Sequence, residues 1–177
     1  MSKVLVVFYS RTGYTAGIAK AIATACPADL EEIEDSRDRS GFFGLVRSAV
    51  ESRTGKLPPL KESRLDPAGY DLLIIGTPVW AGTLASPVRS YIIGHNERLP
   101  PQMAFFCTMA GSLSEQAFHA LEAATGKTPI ATLAVSNNEM SDKRYIHRLE
   151  TFIKTVTGKS GLAVPGQLRQ RAYPSHV

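Results

Sequence analysis

The chain has 177 residues, which is the length of one domain and enough to bury a substantial core. Hydrophobic residues make up 44% of the chain and charged residues 20%, a composition that excludes disorder of the whole chain. The formal net charge is +4, but Lys and Arg are spread along the sequence without a dense basic run. This distribution argues against nucleic acid as a partner.

The cysteines and the N-terminus indicate the class of protein. Cys26 and Cys107 form no CxxC pair and have no histidine at metal-ligand spacing, so we expect free thiols and no metal site. The sequence starts directly with a strand-like run and lacks the pattern of a secretory signal. No apolar stretch approaches the ~20 residues of a membrane helix. We therefore expect a soluble cytoplasmic protein without membrane contact.

The first half of the chain alternates between strand-like and helix-like segments. The continuous apolar run Val4 to Tyr9 predicts a strand buried on both faces, as in a parallel sheet. Gly13 to Ala25 predicts a helix, and the more polar Leu30 to Glu34 predicts an edge strand. Gly41 to Ser52 predicts a second helix, and Thr54 to Pro67, which contains Pro58 and Pro59, predicts a loop.

The second half continues the alternation with three strands and three helices. In chain order they are the strand Leu72 to Gly76, the helix Pro87 to Ile93, the strand Met103 to Cys107, the helix Ser112 to Ala124, the strand Ile130 to Val135 and the helix Ser141 to Val156. Leu113, Ala117 and Leu121 have the spacing of one buried helix face. The pattern predicts one α/β domain over residues 1–157, a doubly wound five-stranded parallel sheet with helices on both faces, and a tail over residues 158–177.

Candidate ligand-binding loops follow from this fold class. In open parallel sheets, ligands bind outside the carboxyl ends of the strands, where the strand order reverses. The loops after the first, third and fourth predicted strands are therefore the candidates. They are Ser10 to Thr15 (SRTGYT), Thr77 to Gly82 (TPVWAG) and Thr108 to Ser112 (TMAGS).

The first loop has the features of a phosphate site. It offers hydroxyl groups, a glycine for a tight turn, one full positive charge at Arg11, and the N–H groups of the helix that follows. The candidate residues are Ser10, Arg11, Thr12, Gly13, Tyr14 and Thr15. The loop matches neither GxxxxGK[ST] nor GxGxxG, which argues against nucleotide hydrolysis and dinucleotide binding of those types. Plain helix capping by Ser and Thr is the alternative.

The second and third loops are candidates for contact with a planar ring. Trp80, the single tryptophan, stands between Pro78 and Gly82, and an indole in such a position suits stacking, although a core aromatic is the alternative. The candidate residues of the second loop are Thr77, Pro78, Val79, Trp80, Ala81 and Gly82. Those of the third loop are Thr108, Met109, Ala110, Gly111 and Ser112, where Gly111 permits close approach of the backbone.

Together the three loops, each after a buried strand and in this order, resemble the flavodoxin family. SRTGYT is similar to that family's phosphate loop, T/S-x-T-G-x-T, at Ser10, Thr12, Gly13 and Thr15, and TPVWAG and TMAGS resemble its second and third flavin mononucleotide (FMN) loops. The similarity extends over residues 3–156. It implies the strand order 2-1-3-4-5, FMN with its phosphate at Ser10 to Thr15, and Trp80 beside the isoalloxazine ring.

Two departures from the family pattern bear on function. Electron-carrying flavodoxins are typically acidic, whereas this chain is basic, and the segment 39–59 resembles an addition found in a branch of flavodoxin-like oxidoreductases. Both favour an FMN oxidoreductase that takes electrons from NADH or NADPH and reduces a quinone-like or other small acceptor. The alternatives are an electron carrier between protein partners and a flavin-free binding module with the same fold.

The sequence indicates no catalytic side chain, because FMN itself would carry the chemistry. His95, His119 and His147 are expected to be surface histidines, and Cys107 a small buried hydrophobic residue rather than a redox-active thiol. Asn137, Asn138 and Glu139 fit a solvated turn better than a pocket rim. Nothing in the sequence indicates the oligomeric state.

Overall fold

The computed structural model describes residues 3–36 and 57–158. This part of the chain contains six strands, β1 (Val4–Phe8), β2 (Asp29–Glu32), β3 (Leu72–Trp80), β4 (Thr83–Leu84), β5 (Gln102–Met109) and β6 (Thr132–Ser136). It also contains five α-helices, α1 (Tyr14–Ala25), α2 (Ser86–Gly94), α3 (Ser114–Thr125), α4 (Asn137–Asp142) and α5 (Ile146–Thr157). Two single 3₁₀ turns, Pro67–Gly69 and Asn96–Arg98, precede β3 and β5.

Five of the strands form a parallel sheet in the order β2-β1-β3-β5-β6. The short β4 is antiparallel and pairs with the end of β3 only. When β4 is set aside, the order is that of a 2-1-3-4-5 sheet, so the predicted fold class is confirmed. β2 lies at the edge of the sheet, as its polar sequence predicted.

The apolar strands bury both faces of the sheet because alternate side chains point to opposite sides. One cluster packs α1 and α5 against Val4, Val6 and Phe8, and a second packs α2 and α3 against Leu5 and Val7. Helices therefore cover both faces of the sheet, as in a doubly wound fold. No helix within residues 3–36 and 57–158 is long and apolar enough to cross a membrane.

The second candidate loop differs most from its prediction. β3 does not end at Gly76 but continues to Trp80, so Thr77 to Trp80 are strand residues. The chain then reverses in two residues, because Ala81 and Gly82 both have positive φ, 49° and 77°, and Trp80 pairs with Thr83. Two consecutive positive φ values match the right-handed twist of a two-residue hairpin. The predicted loop is thus the end of a strand and a tight turn.

The predicted last helix is two helices. Lys143 has a φ of 60°, which ends α4, and α5 begins at Ile146. Arg144 closes the connection with a hydrogen bond from its Nε to Asp142 Oδ2 of 2.6 Å. In this region Tyr145, Leu149 and Phe152 are buried.

Smaller differences concern the ends of elements. α3 begins at Ser114, so Leu113 precedes the helix and is 44% exposed, contrary to the predicted buried face. β6 begins at Thr132, and Ile130 is exposed. The loop predicted before Pro67 is confirmed from Leu57 on, apart from one isolated bridge between Asp35 and Leu60. The predicted helix Gly41 to Ser52, most of the segment 39–59 and the tail after Gly158 lie outside the described residues.

Candidate functional site

The three candidate loops meet at one edge of the sheet because β1, β3 and β5 are neighbours and run in the same direction. A buried hydrogen bond of 2.8 Å joins Thr15 Oγ1 at the start of α1 to Thr108 Oγ1 near the end of β5. Tyr9 N, just after β1, donates to Gly76 O in β3 at 3.2 Å. We call the residues Ser10 to Thr15, Thr77 to Gly82 and Thr108 to Ser112 the three-loop edge.

The first loop brings main-chain donors together. Ser10 Oγ accepts hydrogen bonds from Gly13 N at 3.1 Å and from Ala16 N at 3.2 Å. Gly13 has a φ of 87°, a conformation that L side chains rarely adopt, and a Cβ there would meet no atom within 4 Å. The two amides therefore converge on one oxygen atom in an open turn at the N-terminus of a twelve-residue helix. Such a turn favours an anion.

The side chains around this turn differ in accessibility. Thr15 is buried and committed to Thr108, whereas Thr12 is exposed and Arg11 and Tyr14 are half-buried. Within the described part of the chain, no hydrogen bond or ion pair holds the side chains of Arg11 and Thr12. α1 has no acidic residue in its first turn. The positive end of the helix and the Arg11 guanidinium thus carry the same sign of charge.

The hairpin at the end of β3 gives the edge an aromatic wall. Trp80 is half-buried and packs edge-on against Tyr9, with ring centroids 5.4 Å apart and an interplanar angle of 84°. Ala81 at the tip is exposed. The hydroxyl of Thr77 is buried and used internally, since it donates to Pro78 O and accepts from Ala85 N, both at 2.9 Å. Thr77 therefore positions the hairpin and does not offer its hydroxyl to a ligand.

The third loop is open to solvent beyond its first two residues. Thr108 and Met109 are buried, and Ala110, Gly111 and Ser112 are exposed. A Cβ on Gly111 would meet no atom within 4 Å. Leu113, which follows, occupies the N-cap of α3 and lies beside the hairpin, because its Cδ1 would be 3.4 Å from a Cβ on Gly82. An exposed leucine at an N-cap is unfavourable in isolation, since polar residues are preferred there.

The three-loop edge contains no acidic residue in any of its segments. Cys107 lies just before the third loop, fully buried, and burial raises its pKa to about 12. The thiol is therefore neutral at physiological pH, as expected for a small hydrophobic residue rather than a reactive thiol. Burial likewise raises the pKa of Cys26 to about 11. Residues 3–36 and 57–158 contain no group of His, Cys, Asp and Glu side chains that would hold a metal ion.

A groove of about 610 Å³ is lined in part by Met109, Gly111 and Ser112 of the third loop and runs along β6 and α5. We call it the β6 groove, and none of its lining residues comes from the first or second loop. Its charges are paired: Glu139 Oε1 lies 2.8 Å from Arg148 Nη2, and Glu139 Oε2 accepts from Ser136 N at 3.0 Å. Arg148 Nη2 also donates to Ala134 O at 3.1 Å. The hydrogen bond from Ser136 N, aided by Arg148, lowers the pKa of Glu139 to about 2.

The other candidate side chains lie away from the three-loop edge or are structural. Ser136 and Glu139 form a capping box at the start of α4, so Asn137 and Asn138 begin a helix rather than a turn. His95 stacks on Tyr91 near the end of α2, with centroids 4.3 Å apart. His119 and His147 are exposed, as predicted.

Sequence reasoning missed three contributors to this edge. It did not anticipate the bond between Thr15 and Thr108, the contact of Tyr9 with Trp80, or the position of Leu113 beside the hairpin. The first two join residues that are distant in sequence, so no local pattern reports them. Leu113 was assigned to a buried helix face because it precedes Ala117 by one helical turn.

Comparisons with known proteins identify the family and support the fold. A family model described as flavodoxin matches residues 3–150. The NAD(P)H dehydrogenase (quinone) of Cupriavidus metallidurans is 28% identical over 92 residues, which are 52% of this chain and 46% of that protein. The chain thus aligns with less than half the length of this curated relative.

Two solved structures share the fold. A flavoprotein from Lactobacillus acidophilus in complex with FMN superposes with a TM-score of 0.67 at 24% identity, covering 81% of this chain and 98% of that one. The oxidised flavodoxin 2 of Bacillus cereus gives a TM-score of 0.59 at 18% identity, covering 90% of this chain and 100% of that one. Because the family model extends over most of the sequence and the fold agrees, this chain belongs to the flavodoxin family.

Proposed function

We propose that this chain is an FMN-binding oxidoreductase that uses NADH or NADPH to reduce a quinone-like small acceptor. The observation that carries the proposal is the three-loop edge, where the first loop and β5 are joined by the bond between Thr15 and Thr108. The quinone-reducing activity of the partial relative from Cupriavidus metallidurans points in the same direction. A small-molecule acceptor also suits an edge that is open beside Ala81 and Ala110.

The residues of the first loop fit the phosphate of FMN. Two main-chain N–H groups already converge on Ser10 Oγ, so the turn is built to surround an oxygen atom. The Thr12 hydroxyl and the Arg11 guanidinium have no partner among the described residues and are available as further donors. Because a glycine occupies position 13, no side chain fills the turn. Ser10 to Thr15 would therefore hold the phosphate.

The second and third loops fit a planar ring. Trp80 offers a half-buried aromatic surface, and Gly82 and Gly111 keep the backbone accessible on either side. FMN, when bound, supplies the capacity to accept two electrons from a hydride donor and release them to an acceptor. The protein would orient the ring through Trp80 and the backbone of Ala110 and Gly111. Reduction of a quinone to a hydroquinone takes two electrons and two protons; NAD(P)H provides both electrons and one proton as hydride, and solvent provides the other proton.

The absence of carboxylates from the three loops predicts the reduction potential. Added negative charge on the ring meets no acidic side chain within these segments, so the Coulomb penalty should be smaller than in an acidic flavodoxin. We expect a less negative potential for the second electron than in an acidic flavodoxin titrated in parallel. A dye-equilibrated redox titration measures it. A potential equal to or lower than that of the acidic protein would contradict this expectation.

The decisive experiment is to identify the cofactor and then the reaction. The purified chain should be yellow or should bind added FMN in calorimetry, and it should oxidise NADH or NADPH in the presence of a quinone. Colourless protein that ignores FMN would leave the flavin-free binding module as the function. Protein that binds FMN but turns over neither nucleotide would favour the electron carrier, a role that membership of the flavodoxin family also supports.

A further inference from the structure

Arg89, near the start of α2, is a cation without a counter-charge among the described residues. Its Nε is buried, and no hydrogen-bond partner reaches that atom. Its Nη2 makes one long contact, 3.4 Å to Thr83 Oγ1 in β4. Within residues 3–36 and 57–158, no carboxylate forms an ion pair with Arg89. A half-buried guanidinium left in this state is unfavourable, because burial removes water that nothing else replaces.

The surroundings add positive potential to this guanidinium. Arg89 is the fourth residue of α2, which begins at Ser86. It therefore lies close to the positive end of the helix dipole, where a cation is disfavoured and an anion favoured. No acidic residue stands in the first turn of α2. The positive field of the helix and the charge of Arg89 therefore reinforce each other at this position.

The guanidinium lies beside the wall of the three-loop edge. Thr83, its contact, pairs directly with Trp80 across the hairpin. A group bound by Arg89 would thus sit next to the aromatic residue and the tip formed by Ala81 and Gly82. This places an unpaired cation at the border of the surface where the acceptor or the donor would approach.

From these observations we infer that Arg89 binds an anionic group of the substrate, a phosphate, carboxylate or sulfonate carried by the nicotinamide donor or by the acceptor. The inference rests on the proposed function for the identity of the substrate but not for the presence of the anion site. Because Nε is enclosed by the protein, an incoming anion would contact the Nη groups of the guanidinium and gain a charge-assisted hydrogen bond there. Arg89 then determines specificity and takes no part in the transfer of electrons.

The test compares Arg89→Met with Arg98→Met in the FMN-loaded full chain. Methionine keeps much of the apolar stem, and both variants remove one positive charge. Arg98 pairs with Asp66 on the surface between α2 and β5, where loss of an exposed ion pair has little effect. KM is measured for a neutral naphthoquinone and its sulfonate, and for NADH and NADPH.

If Arg89 holds the acceptor, Arg89→Met raises KM for the sulfonate at least tenfold and leaves KM for the neutral quinone within twofold. If it holds the donor, KM for NADPH rises relative to NADH, or both rise together while the acceptor constants stay fixed. Arg98→Met changes none of these constants by more than twofold. Unchanged constants for all four compounds in Arg89→Met would overturn the inference.

A binding measurement separates this inference from the proposed function. Calorimetry with inorganic pyrophosphate, on protein saturated with FMN so that the first loop is occupied, should give weak binding to the parent chain and to Arg98→Met, and none to Arg89→Met. In addition, Arg89→Met should be at least as stable to denaturant as the parent, because it removes an uncompensated buried atom. If the parent chain is inactive but binds pyrophosphate, and Arg89→Met does not bind it, the proposed reaction is wrong and the anion site stands. Equal pyrophosphate binding by Arg89→Met and Arg98→Met would exclude the site.

Discussion

The three-loop edge and the β6 groove are neighbours on the same sheet, but they differ in whether their polar side chains have partners among the described residues. In the groove, Glu139 satisfies Ser136 and Arg148, and Arg148 in turn satisfies Ala134 O. At the edge, Arg11 and Thr12 retain donors that no described residue satisfies, and so does Arg89 beside it. Under the proposed function, donors without partners among the described residues mark the site better than the size of a concavity does, because such donors are unfavourable unless a ligand completes them.

The largest expected effect comes from replacing a glycine of the three-loop edge, with a glycine outside both regions as the control. Gly13 and Gly126 both have positive φ, 87° and 65°, and a Cβ at either would meet no atom within 4 Å. Gly13→Val and Gly126→Val should therefore carry a similar backbone strain of about 1–3 kcal/mol. Only Gly13→Val should weaken FMN binding, because its side chain would fill the turn proposed to hold the phosphate. We expect Kd to rise at least about a hundredfold, which corresponds to about 2.7 kcal/mol.

Calorimetry with FMN and denaturant unfolding of both variants give the result. Gly126 caps the far end of α3, so its variant corrects for strain without touching the first loop. Equal FMN affinity of the two variants would show that the turn at Gly13 does not bind the phosphate.

The second test concerns the bond that holds the edge together. Thr15→Val leaves the buried Thr108 hydroxyl without its partner, so we expect the free energy of unfolding to fall by about 1–3 kcal/mol. Thr15→Val combined with Thr108→Val removes both groups and should recover most of this loss. Denaturant unfolding of the two single variants and the double variant forms a double-mutant cycle. Strictly additive losses would show that the two hydroxyl groups do not stabilise each other.

The smallest expected effect is in the groove, whose polar groups are already paired. The pKa of Glu139 is lowered to about 2 from an ordinary value of 4.5, so its contribution to stability is complete above pH 4.5 and disappears as the pH falls to about 2. Glu139→Gln should lower the free energy of unfolding at pH 7 by about 1 kcal/mol, because Arg148 is largely exposed and screened. The same substitution should leave FMN affinity unchanged.

Unfolding measured from pH 7 to pH 2.5 checks the sign of this effect. The difference between Glu139→Gln and the parent should shrink steadily as the pH falls. Glu62→Gln serves as the control, since Glu62 is exposed and forms no ion pair with a described residue. A difference that grew towards low pH would show that the carboxylate does not stabilise the folded state.

The position of the three-loop edge followed from the sequence, but its internal contacts did not. Continuous apolar runs such as Val4 to Phe8 identify parallel strands, and the topology then brings the segments after β1, β3 and β5 to one edge. The bond between Thr15 and Thr108 joins residues 93 positions apart, which no local pattern encodes.

The errors in secondary structure have local causes. The hairpin at Ala81 escaped prediction because alanine rarely takes a positive φ, so TPVWAG lacks the Asn-Gly or Asp-Gly signal of such turns. The break between α4 and α5 at Lys143 was not predicted, because neither glycine nor proline marks this positive-φ position. The boundary of α3 was misplaced because Leu113 continues the apolar spacing of the helix although it lies outside it.

The hydrogen bond from Arg148 to Ala134 O has a consequence for how copies of the protein meet in concentrated solution. β6 is the last strand of the sheet formed by the described residues, and a terminal strand invites another strand to add to it. An incoming strand would have to displace a guanidinium that is also held by Glu139. We therefore expect Arg148 to hinder aggregation through β6. Its position depends on the Glu139 carboxylate, which stays ionised in all but strongly acidic conditions.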